Sequence, residues 1–159
     1  MIEHAAPHIV VGIDGSVESL AALRWALREA AATGGTAEVV HCWQPHQVSD
    51  ILFGSPDELH RGSLCMLQNE VAAASRMLPR PPHVTQTSRR GRPASVLTGI
   101  AAGASMLVLG AHGRTDLRDL THGKVAAGCL KHASCPVVIV GRDESVITRR
   151  SREFVAAVQ

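Results

Sequence analysis

The stretch from Met106 to Val125 constrains the fold more than any other part of the chain. It begins as a short apolar run, Met106 to Leu109, which reads as a strand buried on both faces. It breaks at Gly110 and Gly113, then runs nine residues before Gly123-Lys124 opens a helical pattern. A glycine after a strand lets backbone approach a ligand closely. A glycine at a helix start leaves outward-facing backbone N–H groups, which suit an anion. Strand, glycine loop and helix start together describe a phosphate cradle. Spacing alone does not establish one, because a chain with 14 glycines also places them in loops that need them only for turns.

The length of 159 residues fits one domain with its own core. Hydrophobic residues make up 45% of the chain and aromatic residues only 3%, so that core is aliphatic. Such a mix suits a parallel sheet covered by helices. A net charge of +2 is too small to argue for nucleic acid. The basic clusters Arg89-Arg90-Gly91-Arg92 and Arg149-Arg150-Ser151-Arg152 read as solvated loops. No signal peptide and no membrane-length apolar run is visible, so a cytoplasmic protein without a membrane partner is expected. Cys42, Cys65, Cys129 and Cys135 read as reduced, small core residues. The histidines form no metal-ligand pattern, His4 and His8 included.

The rest of the chain alternates strand and helix. His8 to Ile13 reads as a buried first strand ending in Asp14-Gly15-Ser16, with Ser16 as a helix N-cap and Glu18 in the first turn. Leu20, Leu23, Leu27 and Ala30 share a helix face that stops at Gly34-Gly35. Thr36 to Cys42 is a second strand. Pro56 opens a second helix carrying Leu59, Met66, Leu67, Val71 and Ala74. His83 to Ser88 is a third strand near an edge, and Pro93 starts a short helix through Val96, Leu97 and Ile100. After the Met106 stretch, a helix from Gly123 to Ala133 turns Val125, Ala126, Cys129, Leu130 and Ala133 inward, and Val137 to Val140 is a fifth strand. Trp25 and Trp43 read as packing residues. Residues 142–159 remain as a tail beyond the domain of residues 1–141, with Val146, Ile147, Phe154, Val155 and Val158 suggesting a weak helix.

This order gives an α/β, doubly wound, five-stranded parallel sheet of Rossmann-like type. With the flavodoxin-like strand order 3-2-1-4-5, Asp14 and the Gly110–Gly113 loop face the same crevice at the topological switch point. Proline before the fifth strand marks it as an edge. An edge of four branched apolar residues is an aggregation hazard unless covered or paired. Pairing with the same strand of a second copy predicts a homodimer through Val137–Val140.

Several segments together resemble the universal stress protein family over about residues 8 to 141: Ile-Val-Val-Gly-Ile-Asp-Gly-Ser at 9–16, Val-Val-His-Cys-Trp at 39–43, Gly-Arg-Pro-Ala at 91–94, the Met106 stretch, and Cys-Pro-Val-Val-Ile-Val at 135–140. The ATP-binding members look like Gly-x2-Gly-x9-Gly-(Ser/Thr). The glycines fall here on Gly110, Gly113 and Gly123, whereas Lys124 stands at the Ser/Thr position. The resemblance implies ATP or another adenine nucleotide, with Mg as a companion. By the same resemblance Ile13 and Cys42 line the adenine pocket, and Asp14 faces the ribose or a nucleotide-bound Mg ion. Gly110 and Gly113 admit backbone amides to ribose and phosphates, while Gly123, Lys124 and Val125 offer helix-N-terminal N–H groups to the phosphates. His112 and Arg114 project from that loop, where they can contact the phosphates or stand as solvated loop residues. The residues leave plainer roles open: Asp14 can brace the turn before the first helix, and Cys42 can be simple core.

Lys124 is a flexible point charge where a hydroxyl is expected. Its ammonium can curl onto the phosphates, turn outward, or fill the phosphate space. The resulting expectation is a stress-response regulatory module that binds an adenine nucleotide and works as a homodimer through an unknown protein partner. The alternatives are a dimeric scaffold that has lost nucleotide and a slow ATPase. No Walker lysine, paired carboxylates or nucleophile beside a base supports the last. Asp116 and Asp119 read as solvated loop carboxylates, so no catalytic residue and no protein-only metal site is assigned.

Overall fold

The structure, a computed structural model, describes residues 5–45, 54–112 and 123–151. In chain order the elements are β1 (His8–Gly12), α1 (Val17–Thr33), β2 (Thr36–Trp43), α2 (Pro56–Arg76), β3 (His83–Arg90), α3 (Pro93–Ile100), β4 (Met106–Gly110), α4 (Gly123–His132), β5 (Val137–Val140) and β6 (Val146–Arg150). Local chemistry sets the helix starts. Ser16 caps α1 by accepting the Ser19 N–H at 3.2 Å, and Glu18 adds a carboxylate to the positive end. At α2 the Ser55 N–H donates to Glu58 at 2.9 Å, the Glu58 N–H returns to Ser55 at 3.3 Å, and Pro56 follows the cap.

The strands form one sheet in the order β3-β2-β1-β4-β5-β6. The first five are parallel and keep the expected order 3-2-1-4-5. Alternation along each strand divides the core in two. Ile9, Val11, Val39, Val108, Val138 and Val140 pack with Leu23, Leu27, Leu67 and Val71 of α1 and α2. Val10, Val40, Leu107, Leu109, Val137 and Ile139 pack with Leu97, Ala126 and Cys129 of α3 and α4. Each fully buried Leu or Ile contributes about 1.5–3 kcal/mol. The buried face of α1 is mostly Ala21, Ala22, Ala26 and Ala30, which lets that helix lie close to the sheet.

Several expectations need correction, among them the basic clusters: Arg89 and Arg90 end β3 and Arg149 and Arg150 end β6, rather than lying in solvated loops. Cys65 is exposed on α2, because its position falls between the buried Ser63 and Leu67 of that helix. Val146 to Arg150 is not helical but a sixth strand, antiparallel to β5, pairing Val137 with Arg150 and Ile139 with Thr148. Consequently β5 has β4 on one side and β6 on the other, so Val137–Val140 is no edge and cannot pair with a second copy. Among the described residues the sheet edges are β3 and β6. Phe154, Val155 and Val158 lie outside the described residues.

The turn into β6 is tied to α1 by charge. Glu144, at φ 65°, sits in the left-handed region, which costs an ordinary residue about 1–2 kcal/mol. Its carboxylate accepts Arg24 Nε at 2.7 Å and Arg28 Nη1 at 3.2 Å. Arg142 Nη2 lies 2.9 Å from Glu18 Oε1. Burial pulls the Glu144 carboxyl upward, but hydrogen bonds and charge from Arg24 and Arg28 outweigh it and hold it below its ordinary 4.5. A carboxylate depressed in the folded state stabilises above its unfolded pKa and loses that contribution as pH falls through the folded value. Glu144→Gln should therefore cost about 0.5–1 kcal/mol near neutral pH, as a part-exposed pair does. The gap to wild type should narrow as pH falls below 4.5. Urea midpoints across that range check this, and an undiminished gap in acid contradicts it.

Candidate functional site

At the carboxyl ends of the parallel strands a crevice of about 480 Å³ opens between β1 and β4, where the strand order reverses. Ile13, Asp14, Cys42, Gly110, His112, Gly123, Lys124 and Val125 all line it. Gly113 and Arg114, also expected there, lie outside the described residues, as do Asp116 and Asp119. The sequence reading missed Gly12, Ser19, Val40, His41, Trp43, Gln44, Leu59, Pro93, Leu97, Leu109 and Ala126. The available signal was position: several of them end or follow a strand on the carboxyl side.

Asp14 leaves β1 and folds back, its Oδ1 accepting the Ser16 N–H at 2.9 Å. The Asp14 N–H donates to Ser19 Oγ at 3.1 Å. The brace before α1 is therefore real, and Asp14 holds it while also facing the crevice. Ile13 is pinned by its N–H to the Val40 carbonyl at 2.9 Å. Burial pushes the Cys42 thiol up to about 11, so it stays protonated at neutral pH and presents an uncharged wall.

Gly110 is required by packing. A Cβ there would lie 2.7 Å from the Glu18 carbonyl carbon and 2.8 Å from the Ser19 nitrogen. Only a residue without a side chain lets the first turn of α1 cross the end of β4. Gly123 opens α4 at φ 73°, a left-handed conformation that strongly favours glycine. Lys124 and Val125 follow it on the exposed side, with Val125 36% exposed rather than turned into the core. The first turn of α4 therefore presents backbone N–H groups and one ammonium-bearing side chain at the crevice.

The wall toward α2 is a polar chain. His41 Nδ1 and the buried Ser63 Oγ lie 2.7 Å apart, and Ser63 Oγ lies 2.7 Å from Ser88 Oγ. Trp43 Nε1–H donates to Ser88 Oγ at 3.1 Å, and the Trp43 and His60 rings are 5.7 Å apart. Trp43 is thus part of the crevice wall as well as a packing residue. Among the described residues no group of three His, Cys, Asp or Glu side chains is placed to hold a metal ion. No described helix is long and apolar enough to cross a membrane.

Residues 6–141 match the universal stress protein family. The chain belongs to that family. Universal stress protein Rv2028c of Mycobacterium tuberculosis is 31% identical over 140 residues, covering 86% of this chain and 49% of the relative. The chain spans about half the length of the curated relatives it matches. A universal stress protein crystallised in complex with cAMP superposes with TM-score 0.66 at 20% identity, over 86% of this chain and 98% of that one. A universal stress protein family member from Arabidopsis thaliana, solved with AMP bound, gives TM-score 0.58 at 19% identity, over 86% and 92%. These likenesses bear out the α/β architecture.

The close approach at Gly110 yields a direct check. Gly110→Ala forces the start of α1 away from β4 and should destabilise the protein by about 1–3 kcal/mol. Chemical denaturation measures this, and an unchanged midpoint would show that α1 does not press on this position.

Proposed function

We propose that this universal stress protein is a regulatory module that binds an adenine nucleotide, ATP foremost, in the β1/β4 crevice and reports its occupancy to a protein partner. One observation carries the reading: eight residues expected at the site from sequence line a single crevice of about 480 Å³. Its chemistry fits the ligand in two parts. Val40, Cys42, Leu97 and Leu109 supply an apolar slot suited to a purine. Gly123, Lys124 and the first α4 amides supply a positive end suited to phosphates. That solved structural neighbours hold cAMP and AMP supports the same ligand class.

In this reading the base enters the apolar slot and displaces water from it. The phosphates take the α4 amides, whose dipoles already point outward. His112 adds a donor from the end of β4. Asp14, which lines the crevice while accepting the Ser16 N–H, faces the ribose or a phosphate-bound Mg ion. Lys124 curls toward the phosphates, where its charge substitutes for the family hydroxyl. Bound nucleotide thereby bridges α4 and the β1–α1 turn, and that change of surface is what a partner reads. No residue is assigned a catalytic role.

Titration calorimetry with Mg-ATP tests the proposal. Saturable heat is expected at millimolar nucleotide or below, and Lys124→Met should weaken affinity on the order of tenfold, the scale of one charge-assisted contact. The loss should shrink at high salt. Absence of heat at millimolar Mg-ATP rejects the nucleotide reading and leaves the scaffold.

A further inference from the structure

We infer that Arg150, on β6, is a positioning residue for the phosphate end of the crevice, acting through α4; this rests on the adenine-nucleotide reading above. Arg150 is the last residue of β6, and its guanidinium is turned inward to the C-terminal end of α4. Nη1 donates to the Leu130 carbonyl. Nη2 donates to the carbonyls of Ala133, at 2.5 Å, and Cys135, at 3.2 Å. The last carbonyls of a helix have no intrahelical donors. A cation there also complements the helix dipole. The side chain is held in place although its buried Nε finds no partner among the described residues. One arginine thus gathers acceptors from α4 and from the segment leading to β5.

The opposite end of α4 is the crevice. Gly123, Lys124, Val125 and Ala126 line it, and α4 is only 10 residues long. A helix of that length spans about 15 Å and moves as a unit. Fixing its C-terminal carbonyls therefore fixes where its N-terminal amides stand. The same hairpin is bound on the other side to α1, through Glu144 with Arg24 and Arg28, and through Arg142 with Glu18. The first turn of α1 carries Ser19, which lines the crevice too. β6 and its turn thus hold both helices whose N-termini meet the ligand, and Arg150 is the tie to the phosphate side.

A purely structural arginine and a positioning one differ in which ligands they affect. The base slot is built from β2, β4 and α3, which supply none of the carbonyls that Arg150 holds. The phosphate end is built from α4. Calorimetry of wild type, Arg150→Met and Arg150→Lys with ATP, AMP and adenosine separates the two. Arg150→Met should weaken ATP on the order of tenfold and adenosine by less than about twofold, and Arg150→Lys should recover part of the loss. Amide hydrogen exchange of the ligand-free chain should also quicken at residues 127–130 in Arg150→Met.

Equal weakening of adenosine and ATP, unchanged ATP affinity, or unchanged exchange at residues 127–130 would each overturn the inference. If Arg150→Met does not fold by circular dichroism, the Arg150→Lys arm decides by the same ATP-to-adenosine ratio. A wild-type chain silent to all three ligands rejects the nucleotide reading and this inference with it. A wild type that binds, beside an Arg150→Met with unaltered ligand preference, rejects this inference alone.

Discussion

Ile9 pairs with Met106, Val10 with Leu107 and Val11 with Val108, joining strands from opposite halves of the chain. His8 and Ser105 extend the seam with reciprocal bonds, the His8 N–H to Ser105 Oγ at 3.0 Å and the Ser105 N–H to the His8 carbonyl at 2.8 Å. Everything at the crevice depends on this pairing. It sets the Asp14 turn beside the end of β4, and it reverses the strand order so that neighbouring helices diverge. It also extends both hydrophobic layers across the middle of the sheet, since Ile9 and Val11 face one layer and Val10 the other.

The glycines of the crevice record packing as much as ligand chemistry. Gly110 sits where the α1 backbone crosses β4. Gly12 is similarly confined, with Leu97 and Leu109 side chains 2.8 and 2.9 Å from a Cβ built there. Gly123 is held by its dihedral angle. A family spacing of glycines is therefore compatible with a crevice whose shape survives in a chain with Lys124 at the following position. The shape comes from helix–strand contacts, and Lys124 changes the charge presented at its mouth.

Much of this was legible in the sequence, and the failures have physical causes. β1, β4 and β5 announce themselves as short apolar runs because both faces of a central strand are buried. Ser16, Pro56 and Pro93 mark helix starts through local chemistry that needs no tertiary context. β6 was hidden because Val-Ile-Thr-Arg-Arg has no two-faced apolar pattern, and Arg150 turns inward only because the end of α4 is there to receive it. His41, Trp43 and Leu59 were missed for a related reason. They face the crevice through the phase of β2 against α2, fixed by the buried Ser63 contact, and no local motif encodes that phase. Asp14 and Gly110 were accessible because each stands at the carboxyl end of a strand, and Gly123 because it opens a helical pattern, while their roles toward a ligand came from the family resemblance.

The β5–β6 hairpin closes through the Gly141 N–H to the Ser145 carbonyl, whereas the β1–β4 seam joins residues separated by 97 positions at His8 and Ser105. Loop closure costs more, and takes longer, as the separation grows. The hairpin and its hold on α4 close over 20 residues or fewer, while the crevice needs the two halves of the chain to meet. The tie at one end of α4 therefore costs less chain entropy to close than the seam that gives the opposite end a site to serve.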